Sequence, residues 1–334
     1  PGWADSYEAN YAYLDETPVI LTALPHRRWR VYLRPSAAES DLEADALGTL
    51  RWYLPKLTFS AVTNPTRFHC HTKISTRYRS GRILVAGDAA HVCSPSQGHG
   101  MNSGLQDAFN LAWKLALVCQ GHCDDRLLDS YEAERRQVAK MITKSGDDFE
   151  QAQDITDPIE RRKRDVAMRA NFADPKSRHH ESIAEAELDI DYGDSPIVMG
   201  DRHEALSPGE RLPDTIEVRL AGGGAKLLHT LAHREGHTGM LFGGPTAPGE
   251  ELAQLESHLR ERKGAPVIEE AVQIIAADGK HHGARIAEKE AGRLGIGEIT
   301  LLVVRPDGHV GLRADRDHAA ALAKYEALLK TGKR

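Results

Sequence analysis

Cysteine is scarce in this chain of 334 residues, with four in all, Cys70, Cys93, Cys119 and Cys123, and none beyond position 123. So few cysteines over this length do not make a disulfide scaffold, and a reducing cytoplasm is the compartment they fit. Cys119 and Cys123 flank His122, but no second pair stands at zinc-site spacing, so these residues read as structural. A basic excess is missing too: 43 Lys plus Arg against 49 Asp plus Glu leave a net charge of −6, which argues against nucleic acid as a partner. No apolar run approaches the length that crosses a bilayer, and no secretory signal is visible. The chain opens on Pro1 with no start-of-domain signal, so the expectation is that an N-terminal part of the same protein precedes it.

What is there suggests two domains or slightly more, and the stretch Gly81 to Lys114 carries the chemistry. Ile83-Leu84-Val85-Ala86 is a short apolar run ending at Gly87, expected as a buried strand of a parallel sheet. Asp88 follows at the strand tip, the place where open α/β sheets bind ligands. The loop from Ala89 to Gly100 contains Pro95, Gly98 and Gly100, and its glycines let backbone approach a bound molecule where a Cβ would obstruct it. From about Asn102 the spacing of Leu105, Ala108, Phe109, Ala112, Trp113 and Ala116 predicts a well-buried helix. A helix start offers free N–H groups and a positive dipole end, which suits a ligand that becomes anionic, as a reduced flavin does at its pyrimidine edge. Asp88 can accept bonds from sugar-like hydroxyls, each worth about 1.5–3 kcal/mol when charge-assisted. Spacing alone fits equally well any strand, loop and helix of an α/β domain, with Asp88 a turn residue.

Upstream, Pro18–Leu24 and Arg28–Arg34 read as strands around the turn Pro25-His26-Arg27, the second with apolar Trp29, Val31 and Leu33 alternating with Arg28, Arg30 and Tyr32. Ser40-Asp41-Leu42-Glu43 reads as a capping box for a helix that Pro55 ends. Leu57–Val62 and Phe68–Tyr78 read as strands leading to Gly81. Downstream, Asp124–Gln153 is a long helical run, and the polar stretch Asp154–Asp194 reads as surface helices and a linker, its Arg161–Arg164 cluster a solvated face. From about Pro196 short β-type runs at Thr215–Leu220, Gly239–Phe242, Ala271–Ala276 and Ile299–Val304 alternate with helical segments. The turn Arg305-Pro306-Asp307-Gly308 is expected to pair Leu301–Val304 with Val310–Arg313, before a last helix from about Asp317 to Lys330. That order is the order of a thioredoxin-like fold.

Gly87-Asp88-Ala89-Ala90-His91, Pro95, Gly98-His99-Gly100-Met101-Asn102 and Leu105-Gln106-Asp107-Ala108-Phe109-Asn110-Leu111-Ala112-Trp113-Lys114-Leu115 closely resemble the second flavin motif of the FAD-dependent aromatic hydroxylases, the class A flavoprotein monooxygenases. The likeness runs on through Leu128-Asp129-Ser130-Tyr131-Glu132-Ala133-Glu134-Arg135-Arg136. Carried over position by position, the resemblance implies that Asp88 binds the ribityl chain and that the Pro95 carbonyl lies near the reacting face. It also implies that backbone at Met101 and Asn102 holds the pyrimidine edge, with Gly98 and Gly100 in the same cofactor-binding loop. The implied fold class is α/β: a partial, β-rich substrate domain over residues 1–80, part of the FAD-binding domain over 81–194, and a thioredoxin-like domain without redox cysteines over 195–334, as in the larger phenol and polyketide hydroxylases.

The implied cofactor is FAD with NAD(P)H as reductant, molecular oxygen forming a flavin peroxide that hydroxylates a phenolic or polycyclic aromatic substrate. The implied partners are the N-terminal part of the same protein and, compatibly, a second copy in a homodimer. Epoxidation and Baeyer–Villiger-type oxygen insertion share the architecture, and outside enzymology the chain reads as a non-catalytic remnant serving as an interaction module. His91 reads as a structural hydrogen bonder, and no general base is identifiable. The family's opening Gly-x-Gly-x-x-Gly turn is not here: Gly98-His99-Gly100-Met101-Asn102-Ser103 ends on Ser and follows a loop instead of a strand. Residues 1–334 alone are therefore expected to bind FAD weakly or not at all.

Overall fold

The alternation of apolar and polar residues from Val19 to Leu33 is that of strands covered on one face. In the computed structural model of the protein it yields β2 (Val19–Leu24) and β3 (Arg28–Leu33), an antiparallel pair joined to β1 (Asn10–Tyr13) in the order β1-β2-β3. The structure describes residues 10–13, 17–26, 28–56, 58–59, 61–94, 98–232, 235–262, 268–276 and 283–332. They fall into two compact units, residues 1–71, 94–97 and 144–178 in one, and 72–93, 98–143 and 179–334 in the other.

In the first unit α1 (Leu42–Tyr53) lays Leu50 against Val19 and Leu21. Its cap is Asp41, whose carboxylate accepts the N–H groups of Glu43 and Ala44, while Ser40 bonds to Asp45. The expected capping box is thus displaced by one residue: one ionised Asp41 oxygen takes both amides, and Ser40 turns to Asp45 instead. Of the strands expected over Leu57–Val62 and Phe68–Tyr78, the described residues keep β4 (Lys73–Ile74), which belongs to the second unit, while β5 (Arg79–Ser80) begins just beyond; Leu57 and Ser60 lie outside the described residues. Residues 63–73 are solvent-exposed, and before Lys73 no described strand pairs with them.

The second unit begins with two small hairpin-like pairings. β5 pairs antiparallel with β6 (Ile83–Leu84), and β4 with β7 (His91–Val92). Here the sequence expectation fails: no described strand runs parallel to Ile83–Ala86, and Ile83 is 71% exposed. Two helices follow, α2 (Gly100–Cys119) and α3 (Asp129–Gln153), of which residues up to 143 belong to this unit; α4 (Pro158–Ala173) belongs to the first unit, and α5 (Pro175–Glu185) is divided between the two at residue 178. Within the Arg161–Arg164 cluster, Arg164 is buried, donating to Asp165 and the Ala152 carbonyl.

The rest of this unit is a mixed eight-stranded sheet. In chain order its strands are β8 (Met199–Gly200), β9 (Glu217–Arg219), β10 (Ala225–Leu227), β11 (His237–Gly243), β12 (Ile268–Ala276), β13 (Arg285–Ile286), β14 (Ile299–Val304) and β15 (Val310–Ala314). They lie side by side as β10-β9-β13-β12-β11-β14-β15-β8. β11 is parallel to β12 and antiparallel to β14, and the turn at 305–308 returns β14 onto β15 with Val304 opposite Val310. Period-two alternation sends Leu241, Leu301, Val303 and Leu312 to one face, where they pack with Trp113, Leu117 and Leu127, with Leu252 and Leu259 of α6 (Gly249–Glu261) and with Leu322 and Leu329 of α8 (His318–Thr331). Met240, Phe242, Leu302 and Val304 fill the other face with Leu206, Ile216 and Leu294, the last from α7 (Glu288–Leu294). One core thus joins α2 to the C-terminal sheet. Among the described residues no helix is long and apolar enough to cross a membrane.

Candidate functional site

Two glycines set the shape of the strand–loop–helix segment. Gly87 adopts φ +56°, a left-handed conformation open to glycine at little cost, and starts the short 3₁₀ turn Gly87–Ala89 on which Asp88 sits. The turn lies so close to α2 that a Cβ on Gly104 would come within 3.6 Å of the Gly87 Cα. Asp88 itself is exposed, and its carboxylate has no partner among the described residues.

The first backbone bond of α2 runs from the Ser103 N–H to the His99 carbonyl at 2.9 Å. The N–H groups of Gly100, Met101 and Asn102 precede it and have no acceptor among the described residues. Met101 is 76% exposed, and the Asn102 side chain donates to the Glu185 carbonyl at 3.2 Å, leaving its backbone N–H available. Asp88, Gly98, Gly100, Met101 and Asn102 therefore belong to one segment of one unit, while Pro95 lies outside the described residues. An exposed carboxylate on a turn packed against Gly104, with three free amides at the start of the same helix, is a donor and acceptor set that fits a polyhydroxyl chain attached to a ring that gains negative charge.

The face of α2 that is buried is not the one the apolar spacing predicts. Leu105 and Phe109 are more than half exposed, whereas Ser103, Asp107, Asn110 and Lys114 are buried. These polar groups are buried because each has a partner. One Asp107 oxygen accepts the Gly87 N–H and interacts with His91 Nε2, both at 2.9 Å, and the other accepts Arg135 Nε at 2.6 Å. Burial pushes the Asp107 carboxyl up, but His91, Arg135 and the Gly87 N–H outweigh it and hold the group below its ordinary value. Arg135 also donates to the Tyr192 hydroxyl at 3.1 Å, the Ser103 carbonyl at 3.2 Å and Glu187 at 3.2 Å.

A second ionic cluster abuts the first. Glu134 accepts both Arg305 Nη atoms, at 2.8 and 2.9 Å, and Lys114 Nζ at 2.8 Å; Lys114 also donates to Asn110 Oδ1 at 2.7 Å. Arg305 is paired in addition with Asp307, which accepts Trp113 Nε1 at 3.0 Å. The two acid–base partners shift differently for one reason. Burial would raise Glu134, but Arg305 and Lys114 together bring it down to about 2. Burial lowers Lys114 to about 8, since its single carboxylate partner is shared with Arg305, whose charge repels it.

Sequence reasoning assigned no role to Asp107, Glu134, Arg135 or Lys114, and read Arg305 and Asp307 only as a turn. A signal was present: Asp107, Asn110 and Lys114 stand at i, i+3 and i+7 in an otherwise apolar helix, one face of polar residues that a buried helix keeps only when paired.

A family model described as an FAD binding domain matches residues 49–145. The 3-(3-hydroxy-phenyl)propionate/3-hydroxycinnamic acid hydroxylase of Escherichia coli is 42% identical over 135 residues, covering 37% of this chain and 23% of that protein. Among solved structures, the flavin-dependent monooxygenase PieE, in complex with FAD and substrate, is 25% identical with a TM-score of 0.67, covering 93% of this chain and 59% of PieE. CabE, an aromatic hydroxylase from angucycline biosynthesis, is 25% identical with a TM-score of 0.63, covering 94% of this chain and 60% of CabE. The chain thus spans about three fifths of the length of these structures, and its matched stretch under a quarter of the curated relative.

Proposed function

Because this chain belongs to the FAD-dependent aromatic hydroxylases, we propose that it supplies the flavin-edge portion of a monooxygenase acting on a phenolic or polycyclic aromatic compound, with NAD(P)H as reductant. The observation that carries the proposal is the pairing of an exposed, unpartnered Asp88 with the free N–H groups of Gly100, Met101 and Asn102. On this reading Asp88 accepts from ribityl hydroxyls, and the amides, with the helix dipole behind them, stabilise negative charge at the pyrimidine edge. Bound FAD supplies the redox chemistry that activates oxygen; the protein contributes position and field. Pro95, Gly98 and Gly100 complete the loop in this scheme.

The division into a partial substrate domain (1–80), a partial FAD domain (81–194) and a thioredoxin-like domain (195–334) is part of the same proposal. Support for the last comes from its central strands, β13-β12-β11-β14-β15, with β11 parallel to β12, β14 antiparallel to β11 and β15 antiparallel to β14. With no cysteine beyond Cys123, that domain has no thiol chemistry. Its turn after β11 is closed: a Cβ on Gly244 would meet the Gly297 carbonyl at 2.1 Å.

Since the pyrophosphate-binding turn of the family is not in this sequence, the chain should recognise riboflavin and FAD about equally and weakly. Backbone NMR of the chain titrated with riboflavin tests this. Saturable shifts centred on residues 87–89 and 100–102, lost in Asp88→Ala, are expected; shifts elsewhere, or none at millimolar riboflavin, would overturn the assignment.

A further inference from the structure

Arg305 lies 171 residues along the chain from Glu134, on the turn between β14 and β15, yet its guanidinium reaches the helix pair that carries the candidate flavin seat. It is fully buried and bonded through every nitrogen, Nε and Nη2 to Asp307 and Nη1 and Nη2 to Glu134. Its carbon centre stands 5.2 Å from the ring centroids of both Trp113 and Tyr192. A planar guanidinium held by a fork of carboxylates and by aromatic rings has one orientation, which lysine could not reproduce.

Two routes lead from it toward Asp88. Through Glu134 it meets Lys114 and Asn110, and through Asp307 it meets Trp113, so three residues of α2 are fixed along its buried face. Past the Tyr192 ring, the Tyr192 hydroxyl accepts from Arg135, Arg135 donates to Asp107, and Asp107 accepts the Gly87 N–H at the base of the Asp88 turn. Glu134 and Arg135 are consecutive on α3, so the two routes share a backbone. Every link but the part-buried last one, Gly87 to Asp107, is buried, and each donor faces an ionised or polar acceptor where it is worth more than in water.

We propose that Arg305 is a positioning residue for the flavin seat: the β14–β15 turn sets the placement of the Asp88 turn and of the start of α2 through Glu134 and the Tyr192–Arg135–Asp107 relay. The proposal rests on the flavin reading for the purpose of the seat, but not for the coupling. It gives the C-terminal sheet a task at the site that packing alone does not require, since a sheet could cover α2 with apolar side chains only.

Peptide-resolved hydrogen exchange on the chain, with and without substitution, tests it. In Arg305→Met, exchange across residues 84–92 should accelerate at least tenfold, while β11 and β14 keep their protection within twofold. Arg305→Lys should restore part of the loss, because charge returns without the fork. Tyr192→Phe deletes only the hydroxyl that receives Arg135, and should accelerate residues 84–92 about threefold with the fold intact. The proposal is overturned if residues 84–92 are unchanged in Arg305→Met, or if they and the sheet accelerate by the same factor. If Arg305→Met does not fold, Tyr192→Phe decides, and unchanged exchange there overturns it equally. A failed riboflavin titration would remove the flavin reading while leaving this exchange pattern standing, so the two failures are distinguishable.

Discussion

Gly87 donates its backbone N–H to the Asp107 carboxylate at 2.9 Å, tying the residue before Asp88 to the second turn of α2. The same carboxylate is paired with Arg135 and His91 away from solvent. Asp107→Asn keeps the shape but leaves a buried guanidinium short of its main counter-charge. Breaking one side of such a pair costs about 3–5 kcal/mol. Urea denaturation of the variant should show a loss of that order, and a loss below about 1 kcal/mol would mean that Arg135 is satisfied without Asp107.

Asp88 should behave in the opposite way. It is exposed and unpartnered, so Asp88→Ala should leave stability within about 0.5 kcal/mol of the parent. In flavin-loaded protein the same change removes a charge-assisted acceptor worth about 1.5–3 kcal/mol, roughly a ten- to hundredfold loss of affinity. Flavin fluorescence on dilution measures it. Unchanged retention would separate Asp88 from the cofactor.

The C-terminal hairpin was legible because its turn is written locally: Pro306, Asp307 and Gly308 sit where a reversal needs fixed φ, an acceptor and a left-handed residue, and Gly308 has φ +86°. The start of α2 was legible for the same reason, as glycines just ahead of an apolar helical run. What could not be read was which face of α2 is buried. Asp107, Asn110 and Lys114 mark one polar face that needs partners, but Arg135 and Glu134 arrive from 20 to 28 residues away, with Arg305 behind Glu134, and nothing local says which residues these are. The Ile83–Ala86 run failed differently. Its β-branched, apolar pattern is strand-like, but sheet burial is supplied by neighbours, and no described strand lies parallel to it.

A chain ending before residue 195 would strip Arg305, Asp307 and the sheet from α2 and α3, leaving Lys114 and Glu134 without Arg305 and exposing Trp113, Leu117 and Leu127. Such a truncation should lose fixed tertiary packing, with near-UV circular dichroism flattened and a hydrophobic dye bound. A cooperative unfolding transition in residues 1–194 would show instead that the flavin segment carries its own core.

Lys114 should leave a signature at alkaline pH. Its ammonium titrates near 8 in the folded chain against an ordinary 10.5, so between those values the unfolded chain holds more protons and stability rises with pH. Lys114→Met lacks this contribution. Urea midpoints from pH 8 to 9.5 should therefore climb more steeply, or fall less, in the parent than in the variant; parallel profiles would show that Lys114 does not titrate there.

Glu134 sets the acid side with a slope of the same sign. Its folded carboxyl titrates near 2, against 4.5 as an ordinary glutamate, because Arg305 and Lys114 outweigh the cost of burying it. In that interval the unfolded chain binds the extra proton, so this contribution is complete above about pH 4.5 and drains away as pH falls toward 2. Glu134→Gln removes the titration and leaves Arg305 with Asp307 alone, so the variant should be less stable at neutral pH yet lose less between pH 5 and 2.5. Circular dichroism melts across that range separate the two effects, since the offset reports the broken pair and the slope reports the proton. Equal slopes in parent and variant would assign the acid limb to other carboxylates, Asp307 foremost, whose group Arg305 and His309 also hold low against its burial.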